Sequence, residues 1–269
     1  MRLPAWIPAL ALAFTLNLSL GLHAGSAVAQ PAVLRVGVEG AYPPFSSLGT
    51  DGKLKGFDID IASALCERLK LRCVFVQAEF DAMIPALRAK KFDAIVASMS
   101  ITPERMKAVA FSDKYYHTPS RFLARVDSRF EVTPEGLNGR RIGVQRTTVQ
   151  DRFLTAMFKG SVIVRYAKQD EVFLDLVNGR IDGTLVDSVA ADQGFLKTPA
   201  GRGYAFRGPV FDDPAFFGAG AGIAVRKGDT RLRDQINAAL AAIRADGSYK
   251  KLNDRYFDFD IYGAEPARK

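Results

Sequence analysis

The chain has 269 residues, 48% of them apolar and 10% aromatic, with 37 Lys and Arg against 29 Asp and Glu and a formal net charge of +8. The apolar share is ample for packed cores and excludes a disordered chain. The basic residues are scattered and no Lys/Arg run is interleaved with aromatics, which argues against a nucleic-acid partner. Of the two histidines, His23 falls in an apolar leader, so a histidine-built metal site or a Ser-His-Asp triad is not expected.

Met1-Arg2, the mostly apolar stretch from Ala5 to Leu22, and Ala27-Val-Ala29 read as a secretory signal peptide cleaved after Ala29. Pro4, Pro8, Asn17 and Ser19 interrupt the run and speak against a membrane anchor, and no later run is long enough to span a bilayer. Roughly 240 residues remain for an exported, soluble chain of one large or two ordinary domains.

Leu34 to Val38 reads as a first strand, with Glu39 to Phe45 as the loop leaving its carboxyl end. Pro43-Pro44 stiffens that loop, and Tyr42 is assigned to a ligand-facing wall. After the Asp51-Gly52 turn, Ile59, Ala62, Leu65, Cys66 and Leu69 recur at helical spacing, with Asp58 as the expected helix cap. Cys66 and Cys73 both lie in the exported part, where a disulfide is the default. Its loop of about eight residues contributes roughly 2 to 3 kcal/mol on the chain-entropy model, enough to pin a helix end to the next strand. Arg72 to Gln77 is a second strand and Phe80 to Ala89 a second helix.

Ala94 to Ala97 is a continuous apolar run, as expected of a buried parallel strand, and Thr102-Pro103 is a helix-entry signal. The polar turn between them faces free backbone N–H groups and the positive end of the helix. Arg105, on the first turn, carries a planar fork suited to a carboxylate. This stretch is echoed later: Leu87 to Ser98, with Phe92-Asp93 at its turn, matches Leu176 to Asp187, with Ile181-Asp182 at its turn. The echo predicts two similar α/β lobes and sets Ser98 opposite Asp187. In open α/β sheets ligands sit beyond the carboxyl ends of strands. A cleft between lobes then offers an arginine and a hydroxyl on one wall and a carboxylate on the other, an arrangement that suits a zwitterion.

The chain is expected to cross to its second lobe near His117 to Ser120. There the pattern predicts strand Arg141 to Val144, helix Thr148 to Phe158, strand Val162 to Tyr166, helix Glu171 to Asn178, strand Gly183 to Val186 and helix Ser188 to Leu196. The glycines of Phe216 to Val225 have dinucleotide-like spacing but precede strand residues, the reverse of a nucleotide fingerprint. They read as a strand returning to the first lobe, followed by helices over Asp229 to Ala245 and Tyr249 to Phe257.

With these residues in view, the chain resembles the periplasmic amino-acid-binding proteins of ABC importers (solute-binding protein family 3), and within them the lysine/arginine/ornithine- and histidine-binding group. The motifs that carry the resemblance are Gly56-Phe-Asp-Ile-Asp60, Ser98-Met-Ser100-Ile-Thr102 with Arg105, Gly179-Arg-Ile-Asp182, Arg244-Ala-Asp-Gly247 and Tyr256-Phe-Asp-Phe-Asp260. They cover nearly the whole mature chain, and the cysteine pair sits where this group has its disulfide. The resemblance implies a two-lobed α/β fold of the type II periplasmic-binding-protein class. Residues 30–117 with 219–269 would form lobe I and residues 118–218 lobe II, joined by two hinge crossings.

Carried over residue by residue, the family pattern makes Arg105 the clamp on a ligand α-carboxylate, helped by backbone around Ser100 and Thr148. Ser98 and Asp187 take the α-ammonium, and Met99 completes the ligand-binding turn. Tyr42 and Phe80 sandwich the ligand side chain, with Glu39 and Gln150 near its far end. Glu39 stands where cationic-amino-acid binders usually have Asp, Ala97 replaces a pocket serine and Val149 a threonine. A glutamate at the first of these positions also occurs in opine-binding relatives. The implied partners are a small-molecule amino acid and, transiently, a membrane permease, for a monomeric periplasmic protein with no cofactor and no metal. Arg105 is answered by the ligand carboxylate and Asp187 by its ammonium. Glu39 then calls for a cationic side chain, arginine first, with ornithine, lysine and histidine behind it. The alternatives are an opine-binding relative, or a periplasmic enzyme of the same fold, resembling cyclohexadienyl dehydratase, that uses Glu39.

Overall fold

A computed structural model of the chain describes residues 32–263. The expected signal peptide and its cleavage point lie outside the described residues.

The first sheet opens with β1 (Val33–Val38), whose loop forms a small three-stranded sheet from β2 (Ala41–Tyr42), β3 (Ser46–Leu48) and β4 (Leu54–Lys55). Then follow α1 (Phe57–Arg68), β5 (Arg72–Gln77), a 3₁₀ turn at Phe80–Ala82, α2 (Met83–Arg88), β6 (Ala94–Ile95), the single-turn α3 (Pro103–Met106) and β7 (Val109–Tyr116). A second sheet is built from β8 (Ser120–Arg125), β9 (Arg141–Gln145), α4 (Val149–Met157), β10 (Val162–Tyr166), α5 (Gln169–Val177), β11 (Gly183–Asp187), α6 (Ser188–Ala191) and β12 (Tyr204–Phe211). After α7 (Pro214–Phe217) the chain returns to the first sheet as β13 (Ala221–Arg226) and closes with α8 (Thr230–Ala245) and α9 (Ser248–Tyr256).

The two sheets share one plan. Their orders are β5-β1-β6-β13-β7 and β10-β9-β11-β8-β12. In each, three parallel strands are followed outward by an antiparallel strand that arrives from a distant part of the chain. The echoed stretches thus become equivalent strands, β6 and β11. The chain leaves the first sheet after Tyr116 and enters the second at Ser120, then returns between Phe211 and Ala221.

Side chains that alternate along these strands feed opposite layers. Leu34, Val36 and Val38 join the cluster under α1 and α8, as do Ala94 and Val96, while Ile95 and Ala97 turn to the cluster containing Met83 and Leu87 of α2. Phe122, Ala124 and Leu185 pack with Phe153 and Leu154 of α4, whereas Leu123 and Val186 face the cluster that holds Val172 and Phe173 of α5. The Cys66–Cys73 disulfide joins α1 to β5 with its Cα atoms 5.8 Å apart.

Asp58 is not the cap of α1. The N-cap position belongs to Gly56, whose φ of 128° brings the backbone so close to Phe45 that an added Cβ would lie 2.3 Å from its carbonyl oxygen. Only glycine fits there, and Asp58 is carried inside the helix, fully buried. The run expected as a strand to Ala97 is paired in the sheet only through Ile95, and the helix expected over Ser188 to Leu196 changes to π-type turns from Asp192. Strand β12, which the pattern left unassigned, contains Gly208-Pro209 at a bulge between Arg207 and Val210. It lies at the sheet edge, where a missing N–H is tolerated.

Beneath the first sheet an aromatic group ties the chain ends to the middle. Phe57 meets the rings of Phe45, Tyr115, Tyr116, Tyr249, Tyr256 and Phe257 at centroid distances between 5.2 and 6.5 Å. Phe57→Ala is expected to lower stability by roughly 3 to 5 kcal/mol, since it removes a fully buried ring from contacts with three other stretches of the chain. Urea unfolding checks this; a loss under 1 kcal/mol would show that the group is not a packing centre.

Candidate functional site

The carboxyl ends of β1, β6, β9 and β11 converge on one cavity of about 580 Å³, counting its open mouth. Nine of the ten expected site residues line it: Glu39, Tyr42, Phe80, Ser98, Ser100, Arg105, Thr148, Gln150 and Asp187. Met99 does not. Strand alternation turns its side chain away into the cluster with Met83, Leu87 and Phe92, where it is buried.

Arg105 is placed by Thr102, whose hydroxyl accepts from the Arg105 backbone N–H at 3.2 Å. A cap of this kind is worth about 1 kcal/mol. Because α3 is a single turn, its dipole is small, and the guanidinium itself supplies the positive charge. It lies 5.3 Å from the Phe80 ring centroid, and two of its N–H groups donate to the carbonyls of Ser100 (2.9 Å) and Thr147 (3.2 Å). Burial and the neighbouring Arg152 hold its pKa down at about 10, still charged at neutral pH. The helix entry that does present a longer axis to the cavity is α4, capped by Thr148, with Val149 and Gln150 on the cavity wall.

Ser98 adopts the left-handed conformation (φ 53°) at the end of the β6 run. Its hydroxyl donates to Asp58 Oδ2 at 3.0 Å, and its backbone N–H donates to the Tyr115 hydroxyl, which in turn donates to Asp58 Oδ1 at 2.7 Å. Asp58 therefore anchors the turn from behind. Burial pushes its pKa up to about 7, against the opposing hydrogen bonds of Tyr115 and Ser98. On the facing wall, Asp187 is 7% exposed. Its Oδ1 caps α6 by accepting from the N–H groups of Val189 and Ala190, and its Oδ2 accepts from the Thr118 hydroxyl. Burial raises its pKa as well.

Glu39 is 5% exposed, and among the described residues no salt bridge joins it to a cation, the charge of Lys168 acting on it only from beyond ion-pair distance. Its partner is an amide: Gln145 Nε2 donates to Glu39 Oε1 at 2.6 Å. Burial raises the Glu39 pKa to about 7, opposed by that hydrogen bond. Gln150, expected near the same end, instead donates to the Ser120 hydroxyl at 2.9 Å. Sequence reasoning missed Gln145, along with Tyr116, Thr118, Ser120 and Phe217, all of which line the cavity. Gln145 was findable: it is the last residue of β9, at the carboxyl end where ligand groups collect, but the predicted strand stopped one residue short.

Ion pairs also join the two sheets and the segments between them, and one of their members, His117, itself lines the cavity. Arg146, between β9 and α4, meets Glu79 (3.0 Å) and Asp81 (2.6 Å) at the start of the 3₁₀ turn. His117 Nε2 lies 2.9 Å from Asp212 Oδ1, so the two segments that pass between the sheets also touch each other.

The raised carboxylates set a pH dependence. Below about pH 4 Glu39 and Asp58 are protonated in both folded and unfolded states. Between there and about pH 7 the folded chain holds protons the unfolded chain has released. Stability contributed by this retention is lost as pH rises, with a slope approaching about 1.4 kcal/mol per pH unit for each group. Asp93 and Asp175 are shifted downward, so they are ionised in both states across this range and add no slope. Unliganded protein is thus expected to be more stable to urea at pH 5.5 than at pH 7.5, and Glu39→Gln to have a shallower slope; equal slopes would contradict the Glu39 assignment.

Residues 34–259 match the family model of bacterial extracellular solute-binding proteins, family 3. The chain is 49% identical over 233 residues to the L-arginine-binding protein of Pseudomonas aeruginosa, covering 86% of this chain and 90% of that protein. It is 46% identical over 254 residues to the histidine-binding periplasmic protein of Escherichia coli K12, covering 92% and 98%. Among solved structures, a Salmonella typhimurium periplasmic binding protein described for its high arginine specificity superposes with a TM-score of 0.78 at 34% identity, over 84% of this chain and 99% of that one. An ancestral arginine-binding protein bound to arginine gives 0.79 at 34% identity, over 85% and 99%.

Proposed function

Because the chain belongs to the bacterial extracellular solute-binding proteins, family 3, we propose that it captures a cationic L-amino acid between two closing lobes and delivers it to the membrane permease of an ABC importer. The observation that carries this reading is the charge balance of the cavity. Arg105 supplies one cation; Glu39 and Asp187 supply two carboxylates, each more than nine-tenths buried. With a neutral zwitterion, Glu39 would have no cation to answer it and, its pKa already raised to about 7, would take up a proton instead of standing as a carboxylate. An amino acid with a positive side chain neutralises all three groups. Its α-carboxylate meets Arg105, its α-ammonium meets Asp187 and the Ser98 hydroxyl, and its side chain runs between Tyr42 and Phe80 toward Glu39. Cation–π attraction there adds about 0.5 to 2 kcal/mol.

The described residues up to 117 and from 219 onward act as lobe I and residues 118–218 as lobe II, hinged at the two passages that His117 and Asp212 join. The Arg146 contacts with Glu79 and Asp81 belong to the closed form. As exposed pairs they are worth well under 1 kcal/mol each, so ligand bonds to both walls decide closure. The protein works as a monomer in the periplasm, consistent with its periplasmic relatives; no helix among the described residues is long and apolar enough to cross a membrane. It is not an enzyme. Glu39, the candidate general base that the sequence singles out, is held by a hydrogen bond from Gln145, and bound arginine is expected to be recovered unchanged after prolonged incubation.

Arg105→Ala is expected to weaken arginine binding at least about thirtyfold, or roughly 2 to 5 kcal/mol, by leaving the ligand carboxylate unpaired in a buried site. Calorimetric binding within threefold of wild type would end the assignment. Saturating arginine is also expected to reduce the radius of gyration in small-angle scattering, and an unchanged value would argue against closure.

A further inference from the structure

We infer that Gln145 is the residue that makes this cavity select a planar guanidinium side chain over an ammonium one, by acting with Glu39 as a two-residue acceptor. The inference rests on the cationic-amino-acid reading above. Gln145 ends β9, is buried, and lines the cavity. Its amide nitrogen has two hydrogens, and both are engaged: one reaches Glu39 Oε1 at 2.6 Å and the other the Ala167 carbonyl at 3.1 Å. This settles the orientation of the amide. Turned over, its oxygen would face a carbonyl and, with Glu39 ionised, a carboxylate, two acceptors with no proton between them. The amide oxygen is therefore directed away from both, and no donor among the described residues reaches it. The second carboxylate oxygen of Glu39 likewise has no partner among the described residues.

The end of the cavity thus offers two acceptors on different side chains, one charged and one neutral, held at a fixed separation by the Nε2–Oε1 bond. A guanidinium presents several N–H donors diverging in one plane and can meet both at once. An ammonium is a compact point charge whose donors converge on one nitrogen, and the carboxylate alone satisfies its charge. Loss of the Gln145 nitrogen weakens the ionised form of Glu39 and so affects every cationic ligand. Loss of its oxygen affects only the ligand that used it. The ratio of lysine to arginine dissociation constants isolates the second effect.

The test is calorimetric titration of arginine, lysine and ornithine into the wild-type protein, Gln145→Leu and Gln145→Met, at a pH of 8 or above so that Glu39 is ionised. Thermal unfolding of each variant establishes that it is folded, and the methionine variant keeps the length of the side chain if leucine leaves a void. Wild type is expected to prefer arginine, and both variants to lose at least tenfold of that preference, mostly through weaker arginine binding. A lysine-to-arginine ratio within twofold of wild type in either folded variant overturns the role of Gln145 and leaves the functional reading standing. A wild-type protein that binds none of the three overturns both.

Discussion

Glu39 is a carboxylate removed from water with an amide beside it and, among the described residues, no cation in a salt bridge with it. Such a group is unfavourable in an isolated protein, and burial has already moved its pKa to about 7. The surroundings make sense as devices for keeping it in place until a cation arrives. Gln145 donates to it from the second sheet, its own backbone carbonyl is tied to Gln77 Nε2 at 2.9 Å, and Tyr42 walls it off. The site is built to be incomplete. On the function proposed above, a cationic ligand is the component that answers this group and favours the closed form.

The rest of the cavity follows a consistent division of labour. Groups that line the cavity are themselves held by further hydrogen bonds within the protein. Asp58 and Tyr115 hold the Ser98 turn, Thr102 holds Arg105, and Thr118 with the α6 N–H groups holds Asp187. Rotamers locked in this way lose little entropy on binding, so more of each hydrogen bond appears as affinity. The cost is a set of buried carboxylates with raised pKa values, which the aromatic packing around Phe57 and the two layered cores outweigh.

Duplication explains how such a site arises from a simple plan. Each sheet places the carboxyl ends of its first and third parallel strands at the cavity: β1 and β6 on one side, β9 and β11 on the other. Equivalent positions have taken opposite roles. Ser98, after β6, presents a hydroxyl backed by a carboxylate; Asp187, ending β11, presents the carboxylate itself. The two crossing segments touch through His117 and Asp212.

Much of this was legible from local pattern alone. Apolar alternation, the Thr102-Pro103 and Thr148 helix entries, and the echo between Phe92-Asp93 and Ile181-Asp182 depend on neighbours within a few residues, so they determined the α/β class, the doubling and the place where polar groups would gather. The cysteine pair and the arginine on a capped turn were readable for the same reason. What only the tertiary structure decided were relations between segments far apart in the chain. Asp58 looked like a helix cap because its local context is that of one; the close approach of Phe45 to Gly56 moves the cap and buries the carboxylate behind Ser98. Met99 stands between two site residues, yet the pleat turns it into the core. Gln145 meets Glu39 across 106 positions of sequence, a pairing that exists only once two sheets face each other, because a hydrogen bond needs two atoms within about 3 Å and no periodicity in a single chain encodes that distance.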